Sequence, residues 1–157
     1  MQGNPTDRFT LRSAEPILYF AYGSNLNPRR MELRCPGAVA LGYAVLPYYR
    51  LAERLYADID MDTESEVHGV LYLITPAHLA MLDSYEGYPQ VYRRSWLEVK
   101  WRNLVYKAVT YEMTPGTKLA RWKMPYPPEY RMICSEGARF HRIPNAFKSR
   151  RKNARSQ

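Results

Sequence analysis

Glu86, in the run Leu82-Asp83-Ser84-Tyr85-Glu86-Gly87-Tyr88, stands where a carboxylate could exchange protons near neutral pH. The apolar spacing before it reads as a helix that stops at Gly87, so Glu86 faces the negative end of the helix dipole, which disfavours ionisation. Tyr85, Tyr88 and Tyr92 flank it and would add desolvation, which pushes its pKa in the same upward direction. A raised glutamate pKa is what acid/base catalysis near neutral pH requires. Asp83, one helical turn earlier, is the rival carboxylate, and a solvated surface position is the ordinary alternative for either residue.

A second candidate is the junction Tyr22-Gly23-Ser24-Asn25, between an apolar run and a helix start. Successive backbone N–H groups in such a turn can form a concavity for an anion, strengthened by the positive end of the helix that follows. Gly23 would let a ligand approach the backbone closely. The plain alternative is a connecting turn in which Asn25 only satisfies backbone groups. Other residues carry weaker signals. Ser24 has no GxSxG surroundings and no evident histidine base. Cys35 and Cys134 belong to no CxxC pattern and read as reduced, mostly buried thiols, with a disulfide as the alternative in a secreted protein. His68, His78 and His141 lack close metal-ligand spacing, and no metal is implied. Tyr126-Pro127-Pro128-Glu129-Tyr130 reads either as a ligand wall or as a proline-rich turn.

These residues need elements to hold them. Ile17 to Tyr22 is short and apolar enough for a buried strand. Asn27-Pro28 supplies an N-cap and a first-turn proline for a helix through about Arg34. Residues 38–51 read as a long or bent strand with irregularities at Gly42 and Pro47, 58–66 as an acidic loop, and 67–74 as another strand. Thr75-Pro76 starts the helix that carries Glu86, with Gly87 as its left-handed cap. Residues 95–101 and 105–113 alternate around Arg102-Asn103 as a β-hairpin, and Pro127-Pro128 opens a helix that reaches Cys134 and can continue to Phe140. The mixture predicts an α+β fold.

The chain is 157 residues, 46% hydrophobic and 24% charged, which fits one globular domain over residues 16–147. No apolar run nears the roughly 20 residues of a membrane helix, and the opening residues lack a secretory layout, so a cytoplasmic protein is expected. Residues 1–15 are expected to be mobile. Of the net charge of +8, much falls in residues 148–157, where Lys148, Arg150, Arg151, Lys152 and Arg155 occur without an acid. Such a run reads as a disordered tail that could touch nucleic acid, although no nucleic-acid-binding signature accompanies it.

Three blocks, in order, carry a family resemblance. Tyr19-Phe20-Ala21-Tyr22-Gly23-Ser24-Asn25-Leu26 resembles the glycine loop of the γ-glutamylcyclotransferase family. Leu82 to Gly87, followed by Tyr92-Arg93-Arg94, resembles its catalytic-glutamate region, and Tyr130 to Ala138 its late helix. The resemblance spans about residues 17–145. It implies a small β-barrel flanked by helices and a cofactor-free conversion of γ-glutamyl amino acids or amines to 5-oxoproline and a free amine. It also implies that Glu86 is the proton acceptor and that Tyr19, Phe20, Ala21, Tyr22, Gly23, Ser24, Asn25, Tyr92 and Tyr130 line the substrate pocket. Ser24-Asn25 is the form of the branch acting on γ-glutamyl amino acids. The stretch between Tyr48 and Glu66 is shorter than in animal members, which leaves substrate choice open. A non-catalytic binding module of the same fold and a tailoring enzyme that removes a γ-glutamyl group are the alternatives.

Overall fold

The chain closes five strands into a barrel in the order β1-β3-β2-β4-β5. The computed structural model describes residues 15–149. Of the expected mobile N-terminal segment only Glu15 lies within them, and of the expected basic tail only Lys148 and Ser149; the rest of both lies outside the described residues.

Strand β1 (Ile17–Ala21) is the apolar run expected from the sequence. It pairs antiparallel with β3 (Tyr56–Ile74), Ile17 facing Ile74 and Ala21 facing Val70, and parallel with β5 (Leu104–Met113) at Tyr19 and Val109. Its residues are buried on both sides because the barrel interior lies against one face and helices cover the other. Strand β2 (Val39–Arg54) forms a long antiparallel hairpin with β3, interrupted at Ala40/Gly42 and at Pro47/Tyr49, the two irregularities read from the sequence. Strand β4 (Tyr92–Trp101) pairs with β5 across Arg102-Asn103, both with positive φ, as a tight right-twisted hairpin requires. It begins three residues earlier than its alternation shows, because Tyr92 still pairs with Met113.

The acidic stretch 58–66 is not a loop. It is the first half of β3, which opposes residues 47–52 of β2. Glu64 and Glu66 are exposed, while cations meet the two acids at its start. Buried Asp58 and partly buried Asp60 accept hydrogen bonds from Arg54 Nη1 at 2.7 and 3.1 Å, and Lys118 Nζ donates to the same two carboxylates at 3.0 and 2.8 Å. The Asp58 carboxylate also caps the Met113 N–H at 2.8 Å.

Four helices pack around the barrel. Helix α1 (Pro28–Arg34) is capped by Asn27, whose side chain accepts from the Arg29 N–H. Helix α2 (Pro76–Glu86) starts on a reciprocal cap between Thr75 and His78 and ends on Gly87 at φ 64°. Helix α3 (Pro115–Ala120) is short and was not legible as an element; α4 (Pro128–Phe140) runs to the far limit expected for it. It buries Cys134, Gly137 and Ala138, and a Cβ on Gly137 would lie 2.4 Å from the Leu26 carbonyl carbon. Only glycine lets α4 press on the turn that follows β1. The core is continuous, with Phe20, Leu46, Ile59, Leu71, Ile74 and Met113 fully buried, each contributing on the order of 1.5–3 kcal/mol of transfer free energy. Cys35 and Cys134 are buried and free. No described helix is long and apolar enough to cross a membrane.

Candidate active site

A cavity of about 380 Å³ opens between the turn after β1, the ends of α1 and α2, the start of β3 and helix α4. That volume suits a small ligand. The turn is a single 3-10 stretch, Ser24–Leu26, closed by Leu26 N–H to the Gly23 carbonyl at 3.1 Å and Asn27 N–H to the Ser24 carbonyl at 3.0 Å. The first N–H groups of a helical turn find no acceptor within it, and Gly23, Ser24 and Asn25 all line the cavity. Asn27 ties the turn to α4 through its amide, which donates to the Ile133 carbonyl at 3.1 Å and to Glu136 at 3.3 Å.

Asn25 does more than satisfy backbone. Its Nδ2 donates to the Tyr19 hydroxyl at 2.9 Å and its Oδ1 accepts from Arg34 Nη1 at 3.1 Å. One amide thus fixes a ring and a guanidinium on the cavity wall. Gly23 is needed for another reason: a Cβ there would lie 2.9 Å from the Tyr130 hydroxyl. That hydroxyl accepts the Ala57 N–H at 3.0 Å, and the Tyr92 hydroxyl donates to the Ala57 carbonyl at 2.9 Å. The backbone of a single residue at the start of β3 therefore holds two tyrosines. Tyr22 donates to the Tyr111 carbonyl. Burial raises the pKa of Tyr19, Tyr22, Tyr92 and Tyr130, so these phenols stay protonated.

Glu86 is the only carboxylate lining the cavity among the described residues. Its side chain is 19% exposed, and Arg34 Nη1 stands 3.9 Å from Oε1, beyond hydrogen-bond reach. Burial raises its pKa from 4.5 to about 7, with Arg34 and Arg30 pulling in the opposite direction. The expected upward shift is present and desolvation leads it. The tyrosines contribute unequally, however. Tyr92 is buried and Tyr85 lines the cavity, while Tyr88 lies outside it and stacks beneath the Arg94 guanidinium at 4.6 Å. The rival carboxylate, Asp83, is held elsewhere: Arg94 and Tyr111 donate to it, and these bonds outweigh its burial and lower its pKa.

Of the ten residues that the family resemblance points to, the cavity gathers Tyr19, Tyr22, Gly23, Ser24, Asn25, Glu86, Tyr92 and Tyr130. Phe20 and Ala21 are not in its lining. They sit within β1, and the Phe20 ring and the Ala21 carbonyl close over Gly69 on the neighbouring strand, where a Cβ would come within 2.7 Å of both. The cavity also contains residues the sequence reading passed over, including Arg30, Arg34, Tyr56, Tyr111 and Arg121. Arg30 and Arg34 had a legible signal, since they lie four residues apart on a helix that starts at the glycine turn and so share a face. Arg121 had none, because the short helix before it went unread. Among the described residues no three His, Cys, Asp or Glu side chains come together as a metal-binding group.

The sequence profile of the family described as gamma-glutamyl cyclotransferase, AIG2-like, matches residues 19–131. The gamma-glutamylcyclotransferase of Mus musculus is 28% identical over 162 residues, covering 90% of this chain and 80% of that protein. That of Bos taurus is 28% identical over 160 residues, covering 88% and 79%. A solved structure of a gamma-glutamyl cyclotransferase superposes with a TM-score of 0.69 at 27% identity, over 83% of this chain and 82% of that one. The chain belongs to the gamma-glutamyl cyclotransferase, AIG2-like family.

Proposed function

We propose that this chain is a γ-glutamylcyclotransferase with Glu86 as its general base and acid. The observation that carries the reading is one mostly buried carboxyl, with a pKa near 7, facing the glycine turn across a ligand-sized cavity. At neutral pH a large share of such a group is ionised and can accept a proton, and its conjugate acid is strong enough to return it.

The γ-glutamyl part of the substrate lies with its α-ammonium toward Glu86 and its α-carboxylate toward the Gly23–Asn25 turn. Glu86 takes a proton from the ammonium. The freed amine attacks the γ-carbonyl carbon, forming the ring C–N bond, and the amides of the turn are placed for the oxyanion or the carboxylate. Glu86 then protonates the leaving nitrogen as the original amide bond breaks, and the second proton of the ring nitrogen passes to the released amine, which leaves as an ammonium, so no proton is gained or lost overall. Both reacting groups belong to one molecule, and a cavity that holds it folded supplies much of the acceleration. Tyr22 and Tyr92 shape the cavity and do not move protons, because each hydroxyl donates to a backbone carbonyl. Names of relatives support the reaction type, and the catalytic assignment rests on the geometry of this chain.

The test is 5-oxoproline release from γ-glutamyl dipeptides, γ-glutamyl amines and glutathione, by wild type and Glu86→Gln. Release by wild type and its near-complete loss in the folded variant supports the reading. Equal rates in both proteins assign the chemistry to another residue, and no release from any substrate leaves a binding module.

A further inference from the structure

Three arginines line the cavity, Arg30 and Arg34 from α1 and Arg121 from the end of α3. Arg34, on the wall built from α1 and α2, bonds Asn25, neighbours Glu86 and lies over the Tyr85 ring at 4.6 Å. Arg121 closes α3 on the opposite wall, its guanidinium 5.5 Å from the centre of the Tyr56 ring. The Tyr56 ring in turn meets Tyr130 edge-on at 4.9 Å. Arg121 Nη1 is buried and donates no hydrogen bond. A buried guanidinium N–H with no acceptor is costly unless something else supplies one.

Asp58 and Asp60 are taken by Arg54 and by Lys118, one helical turn before Arg121. The same Lys118 clamp fixes α3 against β3, and the backbone after it is pinned where the Met124 carbonyl accepts the Leu55 N–H at 2.8 Å. Arg121 thus follows a clamped helix into the cavity wall, with its Nη1 left without an acceptor.

We propose that Arg121 binds a carboxylate on the leaving amine, so that it selects γ-glutamyl substrates whose released half is an amino acid over those releasing a simple amine. This rests on the cyclisation reading, in which the γ-glutamyl half occupies the Glu86 and glycine-turn end. The leaving half then extends toward Tyr56 and Arg121. A guanidinium matches a carboxylate in charge and in planar geometry, and the surrounding rings limit its competition with water.

The experiment compares γ-glutamyl-alanine with γ-glutamyl-ethylamine, which differ by the carboxylate alone, in wild type, Arg121→Gln and Arg121→Lys. Wild type should favour the dipeptide in kcat/KM by about 10- to 100-fold, the size expected of a charge-assisted hydrogen bond. Arg121→Gln should lower kcat/KM for the dipeptide by more than for the amine and so lose that preference, and Arg121→Lys should restore part of it. No preference in wild type, or an equal loss on both substrates in Arg121→Gln, overturns the proposal; an equal loss assigns Arg121 to the γ-glutamyl half. Calorimetric binding of the same two compounds runs beside the kinetics. If neither compound releases 5-oxoproline, the cyclisation reading fails. Arg121 is then decided by whether the dipeptide binds more tightly than the amine in wild type and not in Arg121→Gln.

Discussion

Two carboxylate sites in this fold have cations beside them, and they differ in how close the cations come. Asp60 is bonded by Arg54 at 2.6 Å and Lys118 at 2.8 Å; burial would raise its pKa, but these bonds win and bring it to about 2. Glu86 has Arg34 at 3.9 Å and no hydrogen bond from it, so burial wins and its pKa stands at about 7. Roughly one ångström separates a carboxylate fixed as an anion from one that can trade a proton at neutral pH. The cavity is built by withholding partners, the ionic cluster by supplying them.

The comparison can be broken most severely at Glu86 itself. Glu86→Gln keeps the side chain's size and removes its proton chemistry, so 5-oxoproline release should fall by about 10³-fold, the range of general acid/base catalysis. The same variant should unfold at a higher temperature than wild type above pH 7, because it no longer buries a charge. The sign follows from linkage. Between the ordinary value of 4.5 and about 7 the folded state binds a proton that the unfolded state has lost. Wild-type stability therefore declines as pH rises through that window and levels off above it. Melting curves of both proteins at pH 5 and pH 8 would check this.

On the cluster side, Asp58→Asn leaves Arg54 and Lys118 short of an acceptor inside the barrel, and should destabilise the fold by about 3 kcal/mol in urea denaturation. Glu86→Gln, by contrast, should cost no stability. A smaller effect is expected of Gly23→Ala, whose Cβ would crowd the Tyr130 hydroxyl at 2.9 Å. Displacing it should destabilise the protein by about 1–2 kcal/mol and raise KM for γ-glutamyl dipeptides. The smallest expected effect sharpens the contrast directly. Arg34→Met removes a cation that favours the Glu86 anion, so the acidic limb of the pH–rate profile should move to higher pH, by less than one unit. A limb that stays in place or moves down would mean that Arg34 does not act on Glu86.

Much of the fold was legible where local chemistry is strong. The Asn27-Pro28 and Thr75-Pro76 starts, the Gly87 stop and the Arg102-Asn103 turn each depend on neighbours in sequence, and each is found where those residues stand. The acidic first half of β3 was not legible, since its cations arrive from Arg54 across the hairpin and from Lys118 far along the chain. The candidate site divides the same way. Glu86 and the glycine turn stand out by residue type and spacing, and the resemblance supplied Tyr92 and Tyr130. Phe20 and Ala21 came along with the motif, although the Phe20 ring and the Ala21 carbonyl pack against Gly69. Arg121 and Tyr56 reach the cavity only through tertiary folding.

Ala57 offers a last consequence. It grips Tyr130 with its N–H and Tyr92 with its carbonyl, and a methyl is all it carries as a side chain. The two rings are thus moored to the main chain, which no codon change can delete. Mutation can strip a tyrosine from the cavity, yet its berth remains, ready to receive another hydroxyl-bearing side chain. A pocket moored this way can change its wall in evolution without first rebuilding the frame.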